Sequence, residues 1–61
     1  MTIEEVKTLK PGQLLIVKSW GKEPLPFTKL IWNEDKTQCY VQTLHPQYGH
    51  MNDKPENVKM A

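Results

Sequence analysis

The chain has 61 residues, a formal charge of +1 and 38% hydrophobic residues, so it can hold one small domain with a limited core. Its single cysteine, Cys39, excludes an intrachain disulfide and favours a reducing compartment, so we expect a cytoplasmic protein. All 8 basic residues are lysines, and they are scattered among 7 acidic residues, which disfavours a dedicated nucleic-acid binder.

The first ten residues are a lead-in for which the sequence leaves two structures open. Thr2 followed by Glu5 is a capping-box pattern, which predicts one helical turn. Pro11 limits the length of any helix here. An extended lead-in strand therefore fits residues 1–10 equally well.

The Pro11-Gly12 pair predicts a tight turn that leads directly into the first strand. The apolar run within residues 13–19 predicts a β-strand, because turn signals bound it on both sides. Its side chains alternate between the two faces of a sheet. We expect one face to cover the core, and Leu14 and Ile16 on the other face to meet an additional element or a second copy of the chain.

Four further strands are predicted along the rest of the chain. Residues 20–26 contain two prolines and a glycine, so we expect an irregular loop after the first strand. The second and third strands, residues 27–32 and 38–44, are joined by a polar turn and predict a hairpin. A short fourth strand is predicted over residues 49–53, and residues 54–60 predict one 3₁₀ turn followed by a fifth strand.

Alternation of side chains within these strands predicts the core. In the third strand, Cys39 and Val41 share one face. The register of the second strand is open, because either Ile31 or Leu30 can face inward. The expected core residues are Leu15, Val17, Ile31, Cys39, Val41 and Val58.

Two segments of the chain resemble parts of small SH3-like β-barrels. Residues 9–17, Leu-Lys-Pro-Gly-Gln-Leu-Leu-Ile-Val, resemble the segment that enters the second strand of such barrels. Residues 54–59, Lys-Pro-Glu-Asn-Val-Lys, resemble the turn before their last strand. The resemblance implies an all-β fold over residues 1–61, a small five-stranded SH3-like antiparallel barrel with a short 3₁₀ turn before the last strand. It extends to Tudor-like, KOW-like and accessory-subunit barrels.

No residue pattern predicts a catalytic, cofactor or metal site. Cys39 lies on the expected core face, and burial disfavours a reactive thiolate. The spacing of Cys39, His45 and His50 lacks the paired ligands that are typical of zinc sites. The three glycines are isolated, so no phosphate-binding loop is predicted. We therefore expect a protein that is not an enzyme and that holds no cofactor and no metal.

Aromatic residues in the loops carry the functional prediction. Large aromatic side chains are enriched at protein interfaces. The loop over residues 20–27 and the segment over residues 45–55 are expected at one end of the barrel, where Trp20, Tyr48 and Pro55 would line one groove, with the polar turn 33–37 at the other end. We predict a protein-interaction module, acting as an adaptor, a regulatory or accessory subunit, or an inhibitor of a larger protein. Its expected partner-binding residues are Trp20, Lys22, Phe27, His45, Tyr48, His50 and Pro55.

Several alternatives stay open. Trp20 and Trp32 either contribute to a binding surface or plug the ends of the barrel, and Phe27 either contacts the partner or packs in the core. A homo-oligomer through Leu14 and Ile16 fits the outer face. Nucleic-acid binding, as in KOW-like and Tudor-like barrels, is the competing function, in which aromatic residues stack on bases and lysines contact phosphates. No apolar run approaches the ~20 residues of a membrane span, and no signal-peptide pattern opens the chain, so no membrane contact is expected.

Overall fold

The computed structural model describes residues 1–61, and five antiparallel strands form its single sheet. The strands are hydrogen-bonded in the order β4-β3-β2-β1-β5, and no ladder joins β4 to β5, so the sheet is not closed into a barrel. The all-β class, the five strands and the 3₁₀ turn before the last strand confirm those parts of the prediction. No helix is long or apolar enough to cross a membrane. The elements in chain order are α1 (Ile3–Val6), β1 (Leu14–Val17), β2 (Leu25–Trp32), β3 (Cys39–His45), β4 (Gly49–Asp53), the 3₁₀ turn (Pro55–Asn57) and β5 (Val58–Met60).

The lead-in is helical because the predicted capping box forms. The Glu5 backbone N–H donates to Thr2 Oγ1 over 3.2 Å, and the Thr2 N–H donates to Glu5 Oε1 over 2.9 Å. The hydrogen bond from the Thr2 backbone, followed by that with its side chain, lowers the pKa of Glu5 below its usual value. The helix buries Val6 completely in the core, which gives α1 a tertiary contact that a single turn needs to persist.

The Pro-Gly turn places β1 between two strands. Gly12 has a φ of +90° and donates its N–H to the Phe27 carbonyl over 2.8 Å, so it occupies a conformation that a side chain would strain. Leu15 and Val17 of β1 are fully buried, as predicted, and Leu14 points outward with half of its surface exposed.

The second strand begins two residues earlier than predicted. Leu25 and Pro26 pair with β1, whereas pairing with β3 starts only at Phe27. At the level of Pro26, β2 therefore has a neighbour on one side only. A proline is tolerated there because its missing N–H leaves no ladder bond unmade on the open side.

A β-bulge settles the register of β2. The pairing with β3 shifts between Phe27 and Lys29, so Phe27 lies opposite Thr43 and Leu30 lies opposite Val41. One extra residue at the bulge reverses the alternation that follows it. Both residues are half-buried, but Leu30 packs against the core and Ile31 does not. The prediction that Ile31 faces inward is therefore wrong, and Ile31 lies opposite Tyr40.

One hydrophobic cluster forms the centre of the molecule. It combines the helix, β1, β2, β3 and β5, and Met1, Leu9 and Leu30 pack against it. Cys39 is a buried free thiol within it, as predicted for a core cysteine. Its member Val6 is absent from the predicted core, and Phe27 takes the core position that the sequence left as one of two alternatives. The six buried residues of the cluster are Val6, Leu15, Phe27, Cys39, Val41 and Val58.

Candidate functional site

The loop between β1 and β2 folds back sharply as it leaves the strand. The backbone N–H groups of Trp20 and Gly21 both donate to the Val17 carbonyl over 3.0 Å. Gly21 has a φ of +112°, which only glycine adopts readily. Farther along the sheet, Ser19 Oγ hydrogen-bonds Asp53 Oδ1 over 3.2 Å. These contacts hold the loop against the rest of the sheet and bring Trp20 to the turn between β3 and β4.

Three aromatic side chains meet at this turn, and we call them the aromatic cluster: Trp20, His45 and Tyr48. The Trp20 ring stands edge-on to His45 with centroids 4.2 Å apart, and edge-on to Tyr48 at 5.5 Å. The rings of His45 and Tyr48 are tilted by 31° with centroids 4.7 Å apart. Edge-to-face contacts, which Trp20 makes with both other rings, are a favoured arrangement of aromatic pairs. The structure therefore brings together three of the predicted site residues.

His45 is the buried member of the aromatic cluster and supports the β3–β4 turn. Its side chain is buried, and its Nδ1 accepts the backbone N–H groups of Gln47 over 3.0 Å and Tyr48 over 3.2 Å. A ring nitrogen that accepts hydrogen bonds carries no proton, so the neutral imidazole holds its proton on Nε2. His45 thus shapes the turn and positions Tyr48. Only 4% of His45 is exposed, so it leaves little surface for its predicted contact with a partner.

Tyr48 is the most accessible member of the aromatic cluster. It is 67% exposed, the largest value among the exposed large hydrophobic residues, and Trp20 is half-buried. Trp20 is therefore neither a free loop side chain nor a fully buried plug. Trp32 lies at the far end of β2, where the Lys7 ammonium approaches to 5.8 Å from its ring centroid, within the range of a cation–π contact.

Two other predicted site residues lie apart from the aromatic cluster. Phe27 is 4% exposed and belongs to the core, which agrees with its packing alternative and leaves little of it accessible to a partner. Phe27 lies just before the bulge, opposite Thr43, on the same buried face of β2 as Leu25. Pro55 lines a groove of about 370 Å³ with Met1 and Tyr40, which includes neither Trp20 nor Tyr48.

His50 is exposed on β4, where it lies opposite Leu44 of β3. Both residues point away from the core, because Thr43 beside Leu44 is completely buried. His50 forms no side-chain hydrogen bond and no aromatic contact with the cluster. It extends the accessible surface next to the β3–β4 turn without taking part in the packing.

A second surface, which we call the lysine groove, borders the same β1–β2 loop. It has a volume of about 320 Å³, and its floor includes Ile16 and the buried Val58. Lys22 is the only predicted site residue in it. Sequence alternation on β1 could have placed Lys18 beside Ile16, but Lys59 joins them only through strand pairing. The lining residues are Ile16, Lys18, Gly21, Lys22, Glu56, Asn57, Val58 and Lys59.

The residues that could carry chemistry are dispersed. Cys39 and His45 occupy the two ends of β3, which six residues of extended chain separate by ~20 Å. No group of three or more His, Cys, Asp or Glu side chains could hold a metal ion. On the outer face, Leu14 is 51% exposed whereas Ile16 is half-buried in the lysine groove.

Comparison of the chain with protein-family models, with curated proteins and with solved structures gave no significant match. The function is therefore inferred from the two surfaces that adjoin the β1–β2 loop. These are the aromatic cluster and the lysine groove, which carries a net positive charge.

Proposed function

We propose that this chain is a small non-catalytic module of the SH3-like class that binds a protein partner through Tyr48 and the exposed part of Trp20. It would act as an adaptor, an accessory subunit or an inhibitor of a larger protein. The observation that carries the proposal is the exposure of Tyr48, at 67%, on a turn that His45 and Trp20 hold in place.

The strand order supports the SH3-like part of the proposal. The first four strands follow one another across the sheet, and β5 returns to pair with β1 after the 3₁₀ turn. The strand β2 contributes to both halves, since Leu25 and Pro26 pair with β1 and residues from Phe27 onward pair with β3. A bulged strand shared in this way bends the sheet, which is how small barrels begin to curl.

The physical case for Tyr48 rests on pre-organisation. A tyrosine offers a large contact area with few rotatable bonds. Two backbone hydrogen bonds to His45 already fix the turn, so binding loses little further chain entropy. Truncation of such an anchor commonly costs ~2 kcal/mol or more of binding free energy, which predicts at least about a tenfold loss of affinity.

The test is a capture experiment with matched bait variants. The immobilised full chain is incubated with lysate of the source cells, with and without nuclease, and bound proteins are identified by mass spectrometry. Tyr48→Ala removes the exposed ring and leaves the backbone N–H that donates to His45. Trp32→Ala is the matched control, because Trp32 is a partly exposed aromatic residue at the other end of β2. Thermal unfolding by circular dichroism checks that each variant folds.

We expect one protein to be retained by the wild type and by Trp32→Ala, in the presence of nuclease, and to be lost with Tyr48→Ala. Retention by folded Tyr48→Ala at the wild-type level would overturn the proposal. Loss of every captured protein after nuclease treatment would instead favour the competing function, nucleic-acid binding.

The non-catalytic part of the proposal rests on the placement of Cys39. Its thiol is 3% exposed, and the two histidines lie at or beyond the other end of β3. Buried thiols in apolar surroundings react slowly. We expect Cys39 of the folded protein to react with a thiol reagent at neutral pH more slowly than a free thiol. An equal or faster rate would reopen a role as nucleophile.

A further inference from the structure

We propose that the lysine groove binds an acidic peptide segment of the protein partner. This inference rests on the proposed function, since it names the chemistry of the partner that docks beside the groove. The carboxylates of the segment would pair with Lys18 and Lys22 of the β1–β2 loop and with Lys59 of β5, all of which line the groove.

The fold builds this basic surface from strand pairing. Ile16 of β1 lies opposite Lys59 of β5, so both side chains share the outer face. Lys18 follows Ile16 on that face, and its backbone N–H donates to the Asn57 carbonyl over 2.7 Å. This bond fastens the start of the β1–β2 loop to the 3₁₀ turn. The sharp turn at Gly21 then leaves Lys22 at the rim.

The groove concentrates positive charge that the rest of the chain does not share. Three lysines and one acid, Glu56, give its lining a formal charge of +2. The whole chain carries +1, so the residues outside the groove sum to −1. The single ion pair of the protein joins Lys7 and Glu4, so none of the groove lysines forms an ion pair with a carboxylate, Glu56 included. A concave surface of one sign attracts a ligand of the opposite sign.

The lining favours a carboxylate-bearing peptide over a nucleic acid. The chain has no arginine, the side chain that clamps phosphates and guanines best. Glu56 on the rim would repel a continuous phosphate backbone, whereas a peptide can place an uncharged residue beside it. Ile16 in the floor offers an apolar contact between the charges. The volume of about 320 Å³ is at the lower end of the range for ligand clefts.

The position of the groove links it to the aromatic cluster. One loop supplies Lys18 and Lys22 to the groove and Trp20 to the cluster. A partner that contacts Trp20 therefore docks on the loop that also borders the lysine groove. An acidic segment next to the apolar anchor of the partner would satisfy both surfaces at once.

The test uses acetylated hexaglutamate as the probe. The ¹⁵N-labelled full chain is titrated with this peptide and followed by two-dimensional NMR at low salt, with hexaglutamine and a thymidine hexanucleotide as comparison ligands. The groove variant is Lys22→Gln with Lys59→Gln. The matched control is Lys29→Gln with Lys36→Gln, which removes the same charge from two exposed lysines outside the groove.

We expect hexaglutamate to shift the amide signals of the groove residues and hexaglutamine to shift none. Exposed ion pairs are weak, so affinity should fall about two- to fivefold for each groove lysine removed. The control variant should bind within twofold of the wild type. Equal losses in both double variants, shifts confined to other residues, or tighter binding of the hexanucleotide would each overturn the inference.

The two proposals fail separately. If Tyr48→Ala abolishes capture while hexaglutamate fails these tests, the acidic ligand class is wrong and the proposed function stands. If Tyr48→Ala captures the partner normally while hexaglutamate binds the groove as expected, the aromatic docking surface is wrong and the ligand class of the groove stands.

Discussion

The turn between β2 and β3 closes on itself, whereas the turn between β3 and β4 depends on side chains from outside it. In the first, the Asn33 side chain accepts from the Gln38 N–H and donates to Thr37 Oγ1, each over 3.0 Å. Thr37 in turn donates to Asp35 over 3.0 Å. These side-chain hydrogen bonds all lie within six consecutive residues, so the polar side chains of this turn bond to groups of the turn itself.

The β3–β4 turn is held by different means. His45, buried at the end of β3, accepts two of its backbone N–H groups, and Trp20 packs against it from the β1–β2 loop. Because buried His45 supports this turn, the turn holds the Tyr48 backbone in place and leaves its side chain exposed. A turn whose polar side chains hydrogen-bond one another serves mainly to connect two strands. A turn that is supported by buried residues can present an exposed side chain to a partner.

The largest expected effect concerns Phe27, for which the sequence left both the binding surface and the core open and which the structure buries in the core. Phe27→Ala should lose ~3–5 kcal/mol of unfolding free energy. A domain of this size has only about 3–5 kcal/mol in total, so the variant should be largely unfolded at 25 °C by circular dichroism.

The control for this variant is Tyr48→Ala, which should keep a wild-type unfolding midpoint. If Phe27→Ala were folded and bound no partner, Phe27 would be a partner-binding residue, which would contradict its assignment to the core.

Features with a local signal could be predicted from the sequence. The capping box at Thr2, the Pro11-Gly12 turn and the 3₁₀ turn before the last strand each depend on a few neighbouring residues, and each is present. The alternation of Leu15 and Val17 identified the core face of β1 for the same reason. Trp20 and Tyr48 stood out because aromatic residues in proline- and glycine-rich loops are costly to expose.

Features that depend on pairing between distant residues could not be predicted. A bulge at Thr28 reverses the alternation of β2, so it moved Leu30 inward and Ile31 outward. Pro26 can lie in a strand because it pairs with β1 and not with β3, which no local pattern shows. The supporting role of His45 and the separation of Pro55 from the aromatic cluster follow from the tertiary fold alone.

The next effect tests the support of the β3–β4 turn. His45→Phe keeps an aromatic ring of similar shape and removes the Nδ1 acceptor of two backbone hydrogen bonds. Loss of an acceptor from part-buried donors should reduce the unfolding free energy by about 1–3 kcal/mol, measured by denaturant unfolding.

His50→Phe is the matched control, because His50 is exposed and forms no hydrogen bond. It should change stability by less than ~0.5 kcal/mol. Equal effects of the two substitutions would mean that the hydrogen bonds to Nδ1 do not hold the turn.

A smaller effect of opposite sign is expected in the self-closed turn. Lys36 has a φ of +58° and is the one non-glycine residue with positive φ. Because glycine adopts this conformation without strain, Lys36→Gly should raise the unfolding free energy by about 0.5–1 kcal/mol. Glu34→Gly, in the same turn without positive φ, should be neutral or destabilising in the same denaturant experiment.

The smallest effect is expected at Asp35, at the tip of the self-closed turn. Its carboxylate accepts one exposed hydrogen bond from Thr37 Oγ1, and water can replace it after substitution. Asp35→Ala should therefore change the unfolding free energy by no more than ~0.5 kcal/mol, and it should capture the same protein as the wild type. If Asp35→Ala lost the partner while Tyr48→Ala retained it, the roles assigned to the β2–β3 and β3–β4 turns would be reversed. The self-closed turn would then present the binding surface, and the supported turn would serve only the fold.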